Sequence, residues 1–206
     1  MKKTLTLAAI SITLAGCATS NLNYSNPQTY NIKNQEIINE SFDVVWDRLV
    51  KNLSSDFFVI NNIEKNSRII NVSFSTNKPS DYVDCGTSTR EFSNAHGKKT
   101  YTYDPSDSAR YTFTNSQGNA FNATRTSRLN GRTNIYLAPE GDGTIVNVNT
   151  KYVVDVDIKY HNFSNQYAGN DNFIFDFSTK TDFSTLDGVT CTARGNLEQR
   201  ILNYAK

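Results

Sequence analysis

Alternating apolar and polar residues in the second half of the chain predict an antiparallel sheet. In the segment 144–160 most of the large apolar side chains share one parity; those that do are Val146, Val148, Tyr152, Val154, Val156, Ile158 and Tyr160. Because successive side chains of a strand point to opposite faces, this strand should bury one face and leave the other wet. It exceeds the usual strand length, so we expect a bend or bulge within it.

Two neighbouring segments repeat this pattern. In residues 129–139 the inward-facing positions are expected to be Leu129, Thr133, Ile135 and Leu137. The sequence EGDG at 140–143 predicts a turn that joins this segment to the long strand. In residues 172–178 the inward-facing positions are expected to be Phe173, Phe175 and Phe177.

Two segments have the apolar spacing of helices. The first follows Ser41, a suitable N-cap, and its stripe consists of Phe42, Val45, Trp46, Leu49, Val50 and Leu53. We interpret Trp46 as a core residue; the alternative is a platform for a ligand. The second follows Asn196, and its stripe consists of Leu197, Ile201, Leu202 and Ala205. We expect both helices to cover the sheet, since its apolar face exceeds what one helix can bury.

Two further hairpins are predicted. The runs DFFVINN and RIINVSF flank a polar connection at 63–67. In the middle of the chain, KKTYTYD and ARYTFTN flank the turn-like sequence PSDS at 105–108 and alternate aromatic with polar residues. The aromatic side chains are interpreted as cross-strand packing; the alternative is a platform for a partner or a glycan.

This order of elements predicts an α+β domain over residues 36–206. Its expected architecture is a single antiparallel, strongly bent sheet, covered by a helix in the N-terminal half and by a C-terminal helix. Residues 17–35 contain few apolar side chains and are expected to form a flexible tether.

The first 17 residues have the pattern of a secretory signal. Lys2 and Lys3 precede an apolar run over 5–14, which leads to Ala15 and Gly16. The run is about half the length of a bilayer-spanning helix, which needs roughly 20 residues. In the alternative interpretation, Cys17 is a core cysteine of an ordinary helix, but such a helix should have a polar face.

Leu14-Ala15-Gly16-Cys17 resembles the lipobox of bacterial lipoproteins. The resemblance implies that residues 1–16 are a signal peptide and that Cys17 becomes the acylated N-terminus. Several acyl chains would anchor the protein stably. In Gram-negative lipoproteins an Asp after the cysteine tends to cause retention at the inner membrane. Ala18 at that position therefore implies the outer membrane, with the domain facing the periplasm.

The folded part is similar in element order to the helix-grip lipoproteins of the BamC type. The sequences SFDVVWDRLV and CTARGNLEQRIL carry this resemblance. DCG at 84–86 and TCTARG at 190–195 also resemble a family of uncharacterised lipoproteins that has a cysteine before each of these glycines. Neither resemblance implies active-site residues, a cofactor or a metal, and only a possible disulfide follows from it.

Cysteine usage points to the same compartment. If Cys17 carries lipid, Cys85 and Cys191 remain as a pair in an oxidising space, where disulfides persist. A bridge would close a loop of over a hundred residues and contribute roughly 4–5 kcal/mol at most. The alternatives are two unlinked buried thiols or a zinc site, for which the histidines His96 and His161 lack ligand spacing.

Charge and motifs exclude several functions. The chain has 21 Lys and Arg against 20 Asp and Glu, and without Lys2 and Lys3 it is nearly neutral, so no nucleic-acid partner is expected. No catalytic motif is present. Asp155 and Asp157 share a strand face and suit an acid/base or metal pair, but nearby lysines favour a solvated charged face.

These observations favour a non-enzymatic, lipid-anchored envelope protein. It would contact the membrane through its acyl chains and present its periplasmic domain to another envelope protein. The alternative is a binding module for a small apolar ligand held between sheet and helix. A hydrolase with an unfamiliar site is the third hypothesis.

Overall fold

The computed structural model describes residues 18–185 and 188–206, and they are mostly β-structure, with 58% in strands and 14% in helices. The strands are β1 (Thr19–Ser25), β2 (Gln35–Ile38), β3 (Val59–Glu64), β4 (Ile69–Thr76), β5 (Val83–Asp84), β6 (Thr87–Asn94), β7 (Gly97–Tyr103), β8 (Ala109–Thr114), β9 (Ala120–Glu140), β10 (Gly143–Asn162), β11 (Tyr167–Ser178), β12 (Phe183–Ser184) and β13 (Thr190–Ala193). The helices are α1 (Phe42–Ser55), α2 (Asn196–Tyr204) and the short 3-10 helix Pro79–Asp81.

The strands in these ranges form three sheets, so the expected α+β fold with one strongly bent sheet is wrong. The main sheet has the order β11-β10-β9-β4-β3, with β2 paired to β10 and β8 paired to β9. The cover sheet has the order β1-β6-β7, and the small sheet has the order β12-β13-β5. Local periodicity identified strands, but it did not indicate that they belong to separate sheets.

The long hairpin of β9 and β10 organises the molecule. Its register runs from Glu140 paired with Gly143 to Phe121 paired with Asn162 without a shift. The expected irregularity occurs instead on the other edge of β10, where the pairing with β11 shifts between Tyr160 and His161. Gly141 occupies the turn with φ +56°, which a glycine tolerates easily.

Each long strand has two different partners on its outer edge. Strand β9 pairs with β8 through residues 120–125 and with β4 through residues 129–136. Strand β10 pairs with β2 through residues 144–147 and with β11 through residues 151–161. We call residues 129–154 the turn end of the hairpin, and residues 120–128 with 155–162 its far end.

One face of the hairpin, here called the inner face, is buried along most of its length. The predicted parity of β10 is confirmed, because its buried residues include Val146, Val148, Tyr152, Val154, Val156 and Ile158. On the neighbouring strand β11, Phe175 and Phe177 are buried but Phe173 is 44% exposed. Phe173 faces inward as predicted, opposite Val156, but it is not fully covered because it lies on an edge strand at the far end, beyond the helices.

The helices cover the turn end only and not the whole apolar face as expected, because a second sheet packs over the remainder. Trp46 and Leu49 of α1 are buried, as are the stripe residues of α2, which are Leu197, Ile201 and Leu202. The carboxylate of Glu198 is also buried there, and it accepts hydrogen bonds from the hydroxyls of Tyr152 and Thr179 at 2.8 Å each. Burial, followed by the proximity of Glu198, raises the pKa of Tyr152 well above its ordinary value.

The cover sheet packs over the far end. Its strand β1 lies within the segment expected to be a flexible tether, and it pairs with β6 from Thr19 with Ser93 to Ser25 with Thr87. The polar composition of this segment suits an exposed strand whose backbone is satisfied by pairing. The folded region therefore begins well before residue 36.

The predicted hairpin in the middle of the chain is not formed. Strand β7 pairs with β6 in the cover sheet, whereas β8 pairs with β9 in the main sheet. The two strands still meet across the gap between the sheets, where the rings of Tyr103 and Tyr111 stack with their centroids 5.3 Å apart. The aromatic residues pack as expected, but between sheets rather than within a hairpin.

Candidate functional sites

Cys85 and Cys191 form a disulfide, as predicted. Cys85 follows β5 and Cys191 lies in β13, so the bridge reinforces the small sheet across 106 residues of sequence. Both residues are completely buried. Cys17, the predicted site of acylation, lies outside the described residues.

The disulfide region also holds the N-terminal segment in place. The Tyr24 hydroxyl accepts a hydrogen bond from Thr190 N at 2.9 Å and donates to the carbonyl oxygen of Cys85 at 3.0 Å. Burial raises the pKa of Tyr24 above its ordinary value. The Tyr30 hydroxyl donates to Asp84 at 2.6 Å. The hydrogen bonds of Tyr24 and Tyr30, on either side of Ser25, thus attach the segment after Cys17 to the region around the disulfide.

An apolar patch lies on the outer face of the main sheet at the turn end. It consists of Ile37, Ile69, Tyr136 and Ile145, of which Tyr136 is 42% exposed. Register places Tyr136 opposite Ile69 and places Ile145 opposite Ile37, so the four side chains share one region of this face. A contiguous group of this kind, unlike scattered apolar residues, is typical of interaction surfaces.

A row of asparagines borders this outer patch. It crosses the sheet through Asn61, Asn71, Asn134, Asn149 and Asn34. The Asn61 amide donates to Asn71 at 3.1 Å, Asn71 donates to Asn134, and Asn34 donates to Asn149 at 3.0 Å. Asn134 and Asn149 are paired by register. The row leaves the outer face polar but uncharged beside the patch.

A cavity of about 390 Å³ separates the cover sheet from the main sheet at the far end. The cover sheet contributes Leu22, Tyr24, Ser88, Arg90 and Tyr103 to its lining. The inner face of the main sheet contributes Tyr111, Arg125, Ile158, Tyr160, Asp171, Phe173 and Phe175. The expected ligand space between sheet and helix differs from this one, because neither α1 nor α2 lines the cavity.

Two arginines dominate the electrostatics of the cavity. The Arg90 guanidinium lies over the Tyr111 ring at 4.5 Å from its centroid, and its Nε donates to the Tyr103 hydroxyl at 3.1 Å. Arg125 is buried, and its guanidinium donates to the carbonyl oxygens of Pro105 and Asp107. Burial lowers the pKa of Arg125 and, with Tyr103 close by, raises the pKa of Tyr111 to about 12.

One carboxylate faces these arginines in the same cavity. Asp171 accepts a hydrogen bond from the Tyr160 hydroxyl at 2.6 Å. Burial and this hydrogen bond raise the pKa of Tyr160. Neither Arg90 nor Arg125 forms an ion pair with a carboxylate in residues 18–185 and 188–206. Among the described residues, the lining therefore carries two cationic side chains and one carboxylate.

Sequence reasoning missed this cavity, although one signal was available. Arg125 has the same parity as the inward-facing Leu129 and Ile135, so extending the strand toward its N-terminus would have placed an arginine on a buried face. Arg90 gave no comparable signal, because its position depends on the pairing of β6 with β1 and β7.

The other candidate residues lie apart from the cavity. His96 lies in the turn between β6 and β7, while His161 is at the end of β10. Asp155 and Asp157 lie on the outer face, where Asp155 accepts a hydrogen bond from Asn172 at 3.0 Å. Within the described ranges, no group of three or more His, Cys, Asp or Glu side chains could hold a metal ion.

No helix among the residues that the structure describes is both long and apolar enough to cross a membrane. No protein-family model, curated protein or solved structure matches this chain. The fold and the sites above are therefore interpreted from their own geometry.

Proposed function

We propose that this protein is a lipid-anchored envelope protein that binds another envelope protein and does not act as an enzyme. It is held at the outer membrane by acyl chains on Cys17 and faces the periplasm. The observation that carries the proposal is the disulfide between Cys85 and Cys191, the two cysteines that remain when Cys17 carries lipid. A buried disulfide fits an oxidising compartment, which is where the lipobox would direct the chain.

The start of β1 adds a geometric consequence to this proposal. Strand β1 begins at Thr19, two residues after Cys17, and it is paired with the cover sheet throughout. Two residues span less than 10 Å even when extended. The acylated protein would therefore hold its cover sheet against the bilayer rather than project the domain on a long tether.

The anchor is tested by mass spectrometry and fractionation. We expect the N-terminal peptide of the membrane-bound protein to begin at Cys17 and to carry acyl chains. Cys17→Ala should leave the membrane fraction, whereas a Cys85→Ala and Cys191→Ala double variant should remain there. An unmodified chain that retains Met1 would contradict the proposed anchor.

The outer patch is the surface proposed to meet the partner. It combines exposed apolar side chains with the uncharged asparagine row, and it lies at the turn end, far along the hairpin from the cover sheet. A photo-crosslinking amino acid at position 136 should trap one partner in intact cells. The matched control is the same amino acid at the exposed Tyr167, at the far end.

Specificity is checked with a second change in the same patch. Ile69→Ser should abolish the crosslink from position 136, because it removes apolar contact area beside the probe. Equal crosslinking from positions 136 and 167, or a product that is unaffected by Ile69→Ser, would contradict the proposed surface.

A further inference from the structure

In the part of the chain that the structure describes, the far-end cavity is lined by two cationic side chains, one carboxylate and an apolar rim. We propose that it binds a small amphipathic anion, whose carboxylate or phosphate group meets the two arginines while its apolar group lies along the rim. This inference does not depend on the membrane anchor, because every residue that carries it belongs to the described fold.

Arg90 supplies the directional contact for the anion. It is half-buried in the cover sheet, and its guanidinium lies over the Tyr111 ring of the main sheet, 4.5 Å from the ring centroid. Of its nitrogen atoms, only Nε makes a hydrogen bond within residues 18–185 and 188–206. Both terminal nitrogens are thus left to donate together to a carboxylate or phosphate, the bidentate geometry that makes arginine suitable for such groups.

Arg125 supplies a fixed charge on the opposite wall. Only 8% of this residue is exposed, and its guanidinium is oriented by two backbone carbonyl groups. These carbonyl groups carry no charge, and although Asp104 is close enough to affect the pKa of Arg125, no carboxylate of residues 18–185 and 188–206 forms an ion pair with it. A buried charge is costly unless it is paired, so an anion in the cavity would relieve part of that cost.

The remainder of the lining favours an apolar group attached to the anion. Leu22 and Phe173 lie at the rim and are 46% and 44% exposed, whereas Ile158 and Phe175 are buried behind them. The volume of about 390 Å³ lies in the lower part of the range of roughly 300–1,000 Å³ that is usual for small-ligand sites. Asp171 is engaged by Tyr160, and its charge disfavours an anion on that side. The anionic group is therefore placed toward Arg90.

A purely structural role for the arginines makes a different prediction. If Arg90 only joins the two sheets by stacking on Tyr111, the cavity should not distinguish an anion from a neutral molecule of the same shape. Calorimetric titration of the full chain in lipid nanodiscs tests this, with hexyl phosphate and hexanoate as probes and empty nanodiscs subtracted. If the full chain proves to be soluble, the titration is run without nanodiscs, so that failure of the anchor and failure of this site remain distinguishable.

We expect both probes to bind saturably to one site. Hexanol lacks the charge and inorganic phosphate lacks the apolar group, so each should bind at least tenfold more weakly. Affinity for hexyl phosphate should also fall as salt is added. Equal binding of hexanol and hexyl phosphate, or no binding of either anion, would overturn the proposal.

Variants assign the binding to the cavity. Arg90→Gln should weaken hexyl phosphate binding at least tenfold, and Arg90→Lys should weaken it less because it keeps the charge but not the planar group. Arg128→Gln, on the exposed outer face of β9, removes the same charge and should leave binding unchanged. Equal dissociation constants for Arg90→Gln and Arg128→Gln would refute the assignment.

A rim variant covers the case in which Arg90→Gln does not fold. Phe173→Ser changes an exposed edge-strand residue, which is readily tolerated, and it should weaken hexyl phosphate without affecting inorganic phosphate. Unchanged affinity for hexyl phosphate in Phe173→Ser would show that the apolar group does not lie at this rim.

Discussion

The inner face of the long hairpin is covered by helices at the turn end and by the cover sheet at the far end. At the turn end, α1 and α2 lay leucine and isoleucine side chains against the strands, and residues such as Ile135 and Val148 are fully buried. At the far end the same inner face meets a second sheet through tyrosines and arginines, and a cavity remains between them. Strand periodicity is identical at both ends, so it determines which face is buried but not how tightly that face is covered.

This difference suggests that the turn end contributes mainly to the stability of the fold and the far end to ligand recognition. Helices carry an apolar stripe that interdigitates with a sheet, so the turn end resembles an ordinary close-packed core. Two sheet faces that carry long polar side chains pack less completely, and the space between them can admit a ligand. The following predictions test the contrast, beginning with the largest expected effect.

Removal of α2 should eliminate the core of the turn end. Truncation of residues 196–206 deletes Leu197, Ile201 and Leu202, each of which contributes about 1.5–3 kcal/mol when fully buried. It also exposes Tyr152, whose hydroxyl donates to Glu198. We expect cooperative unfolding to be lost in calorimetry and in circular dichroism. A truncated chain that melts within a degree or two of the intact one would show that α2 is an appendage.

Loss of the disulfide should destabilise the protein while leaving both ends folded. Cys85→Ala with Cys191→Ala removes a constraint over 106 residues, and we expect a decrease of about 2–5 kcal/mol in the free energy of unfolding. Denaturant titration measures the decrease, with the reduced wild-type chain as the comparison. A double variant as stable as the oxidised wild type would mean that the pairing of β5 with β13 suffices.

Matched removal of one methylene group compares the two ends directly. Ile135→Val at the turn end should cost about 1 kcal/mol, within the usual range for this change. Ile158 lines the cavity at the far end. Ile158→Val should therefore lower the free energy of unfolding by about 0.5 kcal/mol or less, since the space that the methyl group vacates joins an existing cavity. The free energies of unfolding of the two variants are compared by denaturant titration. Equal decreases would mean that the far end is packed as closely as the turn end.

Local patterns predicted the elements better than their arrangement. The parity of β10 and the apolar stripes of α1 and α2 follow from side-chain spacing alone, which is why Trp46 and Leu197 were placed correctly in the core. The cover sheet depends on pairing between β1 and β6, which are more than 60 residues apart. No periodicity within either segment contains that information, and for this reason β1 was interpreted as part of a tether.

The candidate site could not be predicted for the same reason. Its arginines come from β6 and β9, and they converge only because the cover sheet folds over the far end. The disulfide was predictable because cysteine pairing depends on count and compartment rather than on register. The cysteines could therefore be identified from their residue type and number, whereas the two arginines could not be identified without the pairing of distant strands.

At neutral pH the Tyr111 hydroxyl should have the smallest effect of all, and its effect on stability should develop only at alkaline pH. Because the pKa of Tyr111 is raised to about 12 in the folded protein but is close to 10 in the unfolded chain, the unfolded state loses its proton first as pH rises. Stability from this group is complete below pH 10 and is lost as pH rises toward 12, by about 1 kcal/mol at pH 11. Tyr111→Phe removes the ionisable group and keeps the ring under Arg90.

The measurement is the free energy of unfolding of wild type and Tyr111→Phe at pH 8 and pH 11. We expect the two proteins to be nearly equal at pH 8, and the variant to lose about 1 kcal/mol less between pH 8 and pH 11. The matched control is Tyr136→Phe at the turn end, which changes an exposed ring on the outer face and should reproduce the wild-type pH dependence. A wild-type profile in Tyr111→Phe would show that this hydroxyl reaches water freely, and the far end would then be more open than its burial indicates.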